Sequence, residues 1–324
     1  MSLVAIEEHW IMPELTAALQ AVARPDESLA FNRMGDHTER LEDLGEGRIA
    51  AMDEQGIDVS VLALTPPGTQ PLPGGEALRL SRAANDLASA AVGARPTRFR
   101  ALSTLPMSAP ELVADELARA AGQGHVGTMV YGRSGDRFLD DPVYEDFFAA
   151  AAELGQPVFI HPQIPSDALR DASYRGFDLM TDLALATFGW GWHLDAATAA
   201  LRLILRGTFD RHPRLQVVLG HWGEMLLFWL DRADSLARIA DLQKPVSDYI
   251  RSNFFITTSG MMNPALLHHA LSVTTIDRLI FSTDYPFQHP SRDDIAAFLG
   301  HFASDEDRRR FSSANAAALF GIEL

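Results

Sequence analysis

LVAIEEH (3–9), PVFIH (157–161) and RLIFSTD (278–284) are short apolar runs that each finish on an ionisable side chain, and reading them as strands decides the fold. Five more runs of the same kind lie between them: DVSVLAL (58–64), RFRALSTL (98–105), VGTMVY (126–131), QVVLGH (216–221) and FFITTS (254–259). Their apolar character is nearly unbroken, as expected of parallel strands buried on both faces. Between them, stretches such as GEGRIAAMDEQG (45–56), EALRLSRAANDLASAAVGA (76–94) and PELVADELARAAGQG (110–124) carry apolar residues at three- and four-residue intervals. That period predicts amphipathic helices. Strand then helix, eight times over, predicts an α/β fold of the (β/α)8 TIM-barrel type. Gly56, Gly124 and Gly155 each close a helical stretch shortly before the next strand, where a left-handed cap costs glycine least.

The 324 residues are expected to form a single barrel domain over 1–324. Hydrophobic residues make up 47% and charged residues 22%, enough to bury a core and still solvate a surface. A formal charge of -16 repels phosphate backbones, so nucleic acid is not expected as a partner. With no cysteine, disulfides, thiolate metal sites and cysteine nucleophiles are excluded. The N-terminal MSLVAIEEHW lacks a basic segment followed by a long apolar one, and no apolar run reaches membrane-spanning length. A cytoplasmic protein without membrane contact is the expectation. Two connections are unusually long, 10–44 after the first strand and 162–193 after the fifth. Both follow strand C-termini, so they are expected to build the pocket as a lid or an oligomer contact.

Barrel active sites occupy the C-terminal rim of the strands. Glu7 and His9 finish the first strand, His161 the fifth, His221 the sixth and Asp284 the eighth. Glu7 and His9 are two apart, so an extended strand points both to one face and Glu8 to the other. Glu7, His9, His161 and Asp284 together offer two imidazoles and two carboxylates, a ligand set suited to Zn(II) or Mn(II). Taken singly, each also reads as a satisfied structural hydrogen bond. Glu224 lies one helical turn beyond His221 if a helix starts there, where it either orients the imidazole or caps that helix. Arg232 falls two turns further along, on roughly the same face, either to fork onto a substrate carboxylate or to pair at the surface. Trp190, Trp192 and Phe287 are placed to wall an aromatic pocket, or simply to pack in the core. His193 and His289 are further loop candidates. His37, His125, His212, His268, His269 and His301 lie away from strand ends and are expected at the surface.

These residues carry a resemblance. AIEEH (5–9), FIHP, LGHWGE and FSTDYPF resemble motifs of the amidohydrolase superfamily, in the branch of aminocarboxymuconate semialdehyde decarboxylase and γ-resorcylate (2,6-dihydroxybenzoate) decarboxylase. GRIAAMDEQGIDVSVLAL, ALRLILRGTFDRHPRLQVVLGH and NFFITTSG extend the likeness through nearly the whole chain. It implies a metal-dependent, hydrolase-like barrel holding one divalent ion on Glu7, His9, His161 and Asp284. It also implies nonoxidative loss of CO2 from a small aromatic carboxylate with no organic cofactor. Asp284 would protonate the ring carbon, His221 and Glu224 would assist, and Arg232, Phe287, Trp190 and His9 would meet the substrate. A homodimer or homotetramer is implied as well. Two positions depart from the γ-resorcylate pattern: Tyr131 precedes Gly132 where Asn is usual, and Thr65 replaces the Asn of the second strand end. The alternative on the same scaffold is a metal-dependent amidohydrolase or lactonase, with a metal-bound hydroxide attacking a carbonyl. Glu7 in place of a first-strand histidine points to decarboxylation.

Overall fold

A computed structural model describes residues 2–24 and 26–323. All eight expected strands are present: β1 (Val4–Trp10), β2 (Val59–Leu64), β3 (Phe99–Thr104), β4 (Gly127–Tyr131), β5 (Val158–His161), β6 (Val217–Leu219), β7 (Phe254–Thr257) and β8 (Leu279–Ile280). They pair in parallel and in sequence order from β1 to β8. Helices between them give the barrel its outer layer. A small antiparallel hairpin, Arg133–Ser134 with Arg137–Phe138, follows β4.

Side chains alternate between two cores. Val4, Ile6, Val59, Val61, Met129, Phe159, Val218 and Ile280 fill the barrel interior, and Ala316, Phe320 and Ile322 of the C-terminal segment join them. The opposite faces, with Leu62, Leu64, Val130, Ile160 and Leu219, pack against the helices. The helix Gly74–Ala94 shows why: Ala77, Leu80, Ser81, Ala84, Asn85 and Ala88 are its buried positions, a three-and-four spacing that forms one stripe. Gly56 and Gly155 sit at φ 79 and 63, the left-handed caps expected of them.

Two strands are shorter than their apolar runs suggest. β6 ends at Leu219 and β8 at Ile280, although Phe281, Ser282 and Thr283 remain fully buried. Among the described residues no ladder joins β8 to β1. The seam is closed instead by the His9 N–H donating to the Tyr285 carbonyl at 2.7 Å. Glu8 reinforces it, accepting from the Thr283 N–H at 3.0 Å and hydroxyl at 2.6 Å. No helix is long and apolar enough to cross a membrane.

Candidate active site

The pairing of β1 with β2 slips between Ala5 and Glu8. Strict alternation after Val4 and Ile6 would send Glu8 into the barrel. The extra residue of this bulge instead turns Glu7 and His9 inward and leaves Glu8 facing Thr283, a common use of bulges beside active sites. His161 arrives at the end of β5, and Asp284 lies four residues past β8 at φ 62. One donor atom from each of Glu7, His9, His161 and Asp284 lies within 4.8 Å of the others. His9 Nε2 is 3.2 Å from Asp284 Oδ1, and His161 Nε2 is 3.6 Å from Glu7 Oε1.

The hydrogen bonds around this cluster leave its inward atoms free. His161 Nδ1 donates to the Pro162 carbonyl at 2.7 Å, which fixes the tautomer with the Nε2 lone pair facing Glu7. Glu7 Oε2 accepts from Ser259 Oγ at 2.5 Å and Ser282 Oγ at 3.2 Å, whereas Glu7 Oε1 and His9 Nε2 are buried without a hydrogen bond. Buried polar atoms are rarely left so. Orphaned oxygen and nitrogen donors converging on one point fit a borderline divalent cation.

The electrostatics agree. Burial pushes Glu7 up to about 8, opposed by His221 and aided by the Asp284 charge. Burial likewise raises Asp284 to about 7. It lowers His9 to about 3 and holds His161 well below the usual histidine range. With only protein groups present, the cluster resists carrying charge, and a cation would restore both carboxylates to their ionised form.

Beside it lies a second group. His221 Nδ1 is 2.8 Å from Glu224 Oε1, and His193 Nδ1 is 2.7 Å from Glu224 Oε2. His193 Nε2 donates to the Phe188 carbonyl at 2.9 Å, tying the 188–193 loop to Glu224. Burial alone would lower His221, but Glu224, through its charge and hydrogen bond, together with Glu7 and Asp284, carries it up to about 10. Burial also works against ionised Glu224, and His221 and His193 overcome it, bringing the carboxyl down to about 2. The expected contact is therefore made, but through different local geometry. His221, Trp222, Gly223, Glu224 and Met225 all have positive φ, so the chain leaves β6 by a left-handed turn and not by the first turn of an ordinary helix.

That turn also corrects the expectation for Arg232. After it come a 3-10 segment, Leu226–Trp229, and a separate short helix, Leu230–Ala233. No continuous helix phases Arg232 with Glu224, and Arg232 is exposed and does not line the cavity.

The cavity holds about 560 Å³, with His9, His161, His221 and Asp284 among its lining. Phe287, Trp190 and Trp192 line it as expected, and His193 does so too. His289 is exposed and lies outside the lining. The long loops build the walls: Ser28, Phe31, Asn32 and His37 come from 10–44, and Phe188 from 162–193. Two histidines expected at the surface are not there. His37 lines the cavity with its ring 5.3 Å from Phe287, and His125 is buried against Ser89 and Asn85. Thr65 lines the cavity, whereas Tyr131 is buried with its ring 5.9 Å from His161.

Three supporting residues were not anticipated. Ser259 accepts from the His221 N–H at 2.8 Å while donating to Glu7, so it bridges both groups. Its position at the end of the seventh run was the available signal. Ser282 was likewise hidden, because a neutral hydroxyl draws no attention in a scan for ionisable strand ends. Arg48, fully buried, donates to the His9 carbonyl at 2.5 Å and lies 4.5 Å over the Tyr285 ring. In sequence it read as one polar position of an amphipathic helix.

Comparison with known proteins places this geometry. A family model described as Amidohydrolase matches residues 19–322. The γ-resorcylate decarboxylase of Polaromonas sp. strain JS666 is 34% identical, covering 98% of each chain. The solved 5-carboxyvanillate decarboxylase of Sphingomonas paucimobilis superposes with a TM-score of 0.91 at 31% identity, covering 99% of both chains. The dihydroxybenzoic acid decarboxylase of Polaromonas sp. JS666, solved with bound manganese and the inhibitor 2-nitroresorcinol, gives 0.85 at 31% identity, covering 99% of this chain and 97% of that one.

Proposed function

The chain belongs to the amidohydrolase family, and on that premise we propose that it is a metal-dependent, nonoxidative decarboxylase of a small hydroxyaromatic carboxylic acid. The observation that carries this reading is the convergence of Glu7, His9, His161 and Asp284 at the base of an aromatic-walled cavity, with inward donor atoms unpartnered.

Those four residues would hold one divalent ion, Mn(II) or Zn(II), with no organic cofactor. When bound, such an ion supplies positive charge against the acid and phenolic oxygens of the substrate. The remaining work falls to the chain. The aromatic rings of Phe287, Trp190 and Trp192 position the substrate ring and exclude water. Asp284 lines the cavity beside the other three ligands, where its carboxyl would carry the proton delivered to the ring carbon that bears the carboxylate. The C–C bond to the carboxylate then breaks, CO2 leaves, and the electron pair of that bond restores the aromatic ring. His221, oriented by Glu224 and His193, presents its Nε2 side to the cavity and assists the return of a proton to Asp284.

The same reading takes the chain as one barrel domain over 1–324, cytoplasmic, assembled as a homodimer or homotetramer with the 10–44 and 162–193 segments near the contact. Light scattering that finds only monomer would remove the last point. For the activity itself, protein stripped by chelator should be inert, and Mn(II) or Zn(II) should restore release of CO2 and the phenol from 2,6-dihydroxybenzoate or a related acid. Restored protein that cleaves only esters, lactones or amides would refute the decarboxylase assignment.

A further inference from the structure

Arg48, in the first turn of the helix Glu46–Gln55, is the only buried arginine among the described residues. Its hydrogen bonds end on main-chain carbonyls: Nη2 donates to His9 at 2.5 Å and to Arg40 at 3.2 Å, and Nε donates to Asp43 at 3.2 Å. Nη1 is buried without a hydrogen bond. One face of the guanidinium lies 4.5 Å from the centre of the Tyr285 ring. Burying a charge with no carboxylate hydrogen-bonded to it is costly, and a well-packed apolar side chain of similar volume would fill the same space without that cost. Core stability alone therefore does not explain this residue, whereas the groups that it joins do.

His9 is held at both of its main-chain groups. Its N–H donates to the Tyr285 carbonyl at 2.7 Å, and its carbonyl accepts from Arg48, which packs on the ring of that same Tyr285. Tyr285 directly follows Asp284, whose Oδ1 stands 3.2 Å from His9 Nε2. Among the described residues no ladder joins β8 to β1, so the spacing of these two ligands depends on contacts such as these. The other two acceptors, Arg40 and Asp43, lie in and just after the helix His37–Glu42, which brings His37 to the cavity wall. From this arrangement we propose that Arg48 is a positioning residue for the metal cluster: its guanidinium fixes His9 against Asp284 across the seam and pins the 40–43 wall to the same point. A planar fork can donate in two directions while its face packs on a ring, and a lysine ammonium cannot. The inference rests on the proposed metal-dependent reading only for what the cluster binds.

Two measurements test this: Mn(II) affinity by paramagnetic resonance titration, and hydrogen exchange of the peptide containing His9 in metal-free protein. Loss of a group that orients a metal ligand typically costs about 10–100-fold in affinity, and R48M should weaken Mn(II) binding by that factor. With the His9 carbonyl left unpaired, exchange of that peptide should quicken by about tenfold. R48K should recover only part of either loss. Y285L keeps the carbonyl that holds the His9 N–H but removes the ring under Arg48, and should weaken Mn(II) binding roughly three- to tenfold; added to R48M it should change little, because both remove one contact. Should R48M fail to fold, R48K and Y285L carry the test. L117A, a core truncation in the helix Val113–Gly122, should melt lower with unchanged Mn(II) affinity. Wild-type affinity in R48M or R48K, an undiminished Y285L effect without Arg48, or an equal loss in L117A would overturn the inference. If R48M quickens exchange but the wild-type protein binds no Mn(II), the positioning of His9 stands and the metal reading falls.

Discussion

Gly220 lies between β6 and the left-handed turn, and a methyl group there would meet the site itself. A Cβ at this position would stand 2.8 Å from Ser259 Oγ, 3.1 Å from Glu224 Oε1 and 3.2 Å from Glu7 Oε1. The backbone tolerates alanine, since φ is -73, so the substitution acts through contact alone. Ser259 Oγ would have to retreat by about 0.6 Å to reach ordinary contact distance, and it is the atom that joins the His221 N–H to Glu7. Overpacking of this kind costs roughly 1–3 kcal/mol, and at about 2 cal/mol/K per residue a chain of 324 residues loses about 1.5 °C of Tm for each kcal/mol. Loss of a hydrogen bond that orients a metal ligand typically costs about 10–100-fold in metal affinity or activity. G220A should therefore keep its far-ultraviolet circular dichroism, melt several degrees lower, and bind Mn(II) about 10–100-fold more weakly by paramagnetic resonance titration. Its kcat/KM should fall by a similar factor at subsaturating metal. A well-folded G220A with wild-type Mn(II) affinity and turnover would refute the idea that packing around Ser259 and Glu7 sets the geometry of the cluster.

Two other substitutions probe separate features. D284N should fold but lose about 10²–10⁴-fold in kcat, because an amide cannot act as the proton donor; chromatography-pure variant with undiminished CO2 release would exclude Asp284 from that role. His125 tests pH dependence away from the site. Its Nε2 donates to the Asn85 carbonyl and its Nδ1 is buried without a partner, so burial, aided by Arg119 and opposed by the Asn85 hydrogen bond and Glu116, holds it below the ordinary histidine value. The unfolded chain then takes up the proton first, so this contribution is whole above about pH 6.5 and shrinks as pH falls toward the folded value, by at most about 1.4 kcal/mol per pH unit. H125Q should flatten the loss of urea-measured stability between neutral and mildly acidic buffer; an unchanged slope would show that His125 is not responsible.

How much of this was readable in advance depends on whether the information is local. All eight strands were legible because a parallel strand buried on both faces must be apolar throughout. Glu7, His9, His161 and Asp284 were legible because the barrel fixes which end of each strand meets the pocket. What escaped was geometry set by distant partners. Nothing in AIEEH announces the bulge that reverses the inward face between Ile6 and Glu7. The turn 221–225 contains only one glycine, so its left-handed path was hidden, and with it the misplacement of Arg232. The long connections were recognised as pocket builders, but a loop carries no period from which to say that His37 and Phe188 fold back over the site while His289 does not.

The side-chain seam between the first and last strands has a mechanical consequence. Everywhere else neighbouring staves are stitched by main-chain ladders, whereas at this joint, among the described residues, Glu8 with Thr283, Glu7 with Ser282 and one main-chain hydrogen bond from His9 to Tyr285 hold the cask shut. Glu7 and His9 belong to one lip of the joint and Asp284 to the other, so a cation gripped by all three would rivet it. Occupancy of that pole by a cation would thereby be coupled to the cohesion of the whole cylinder.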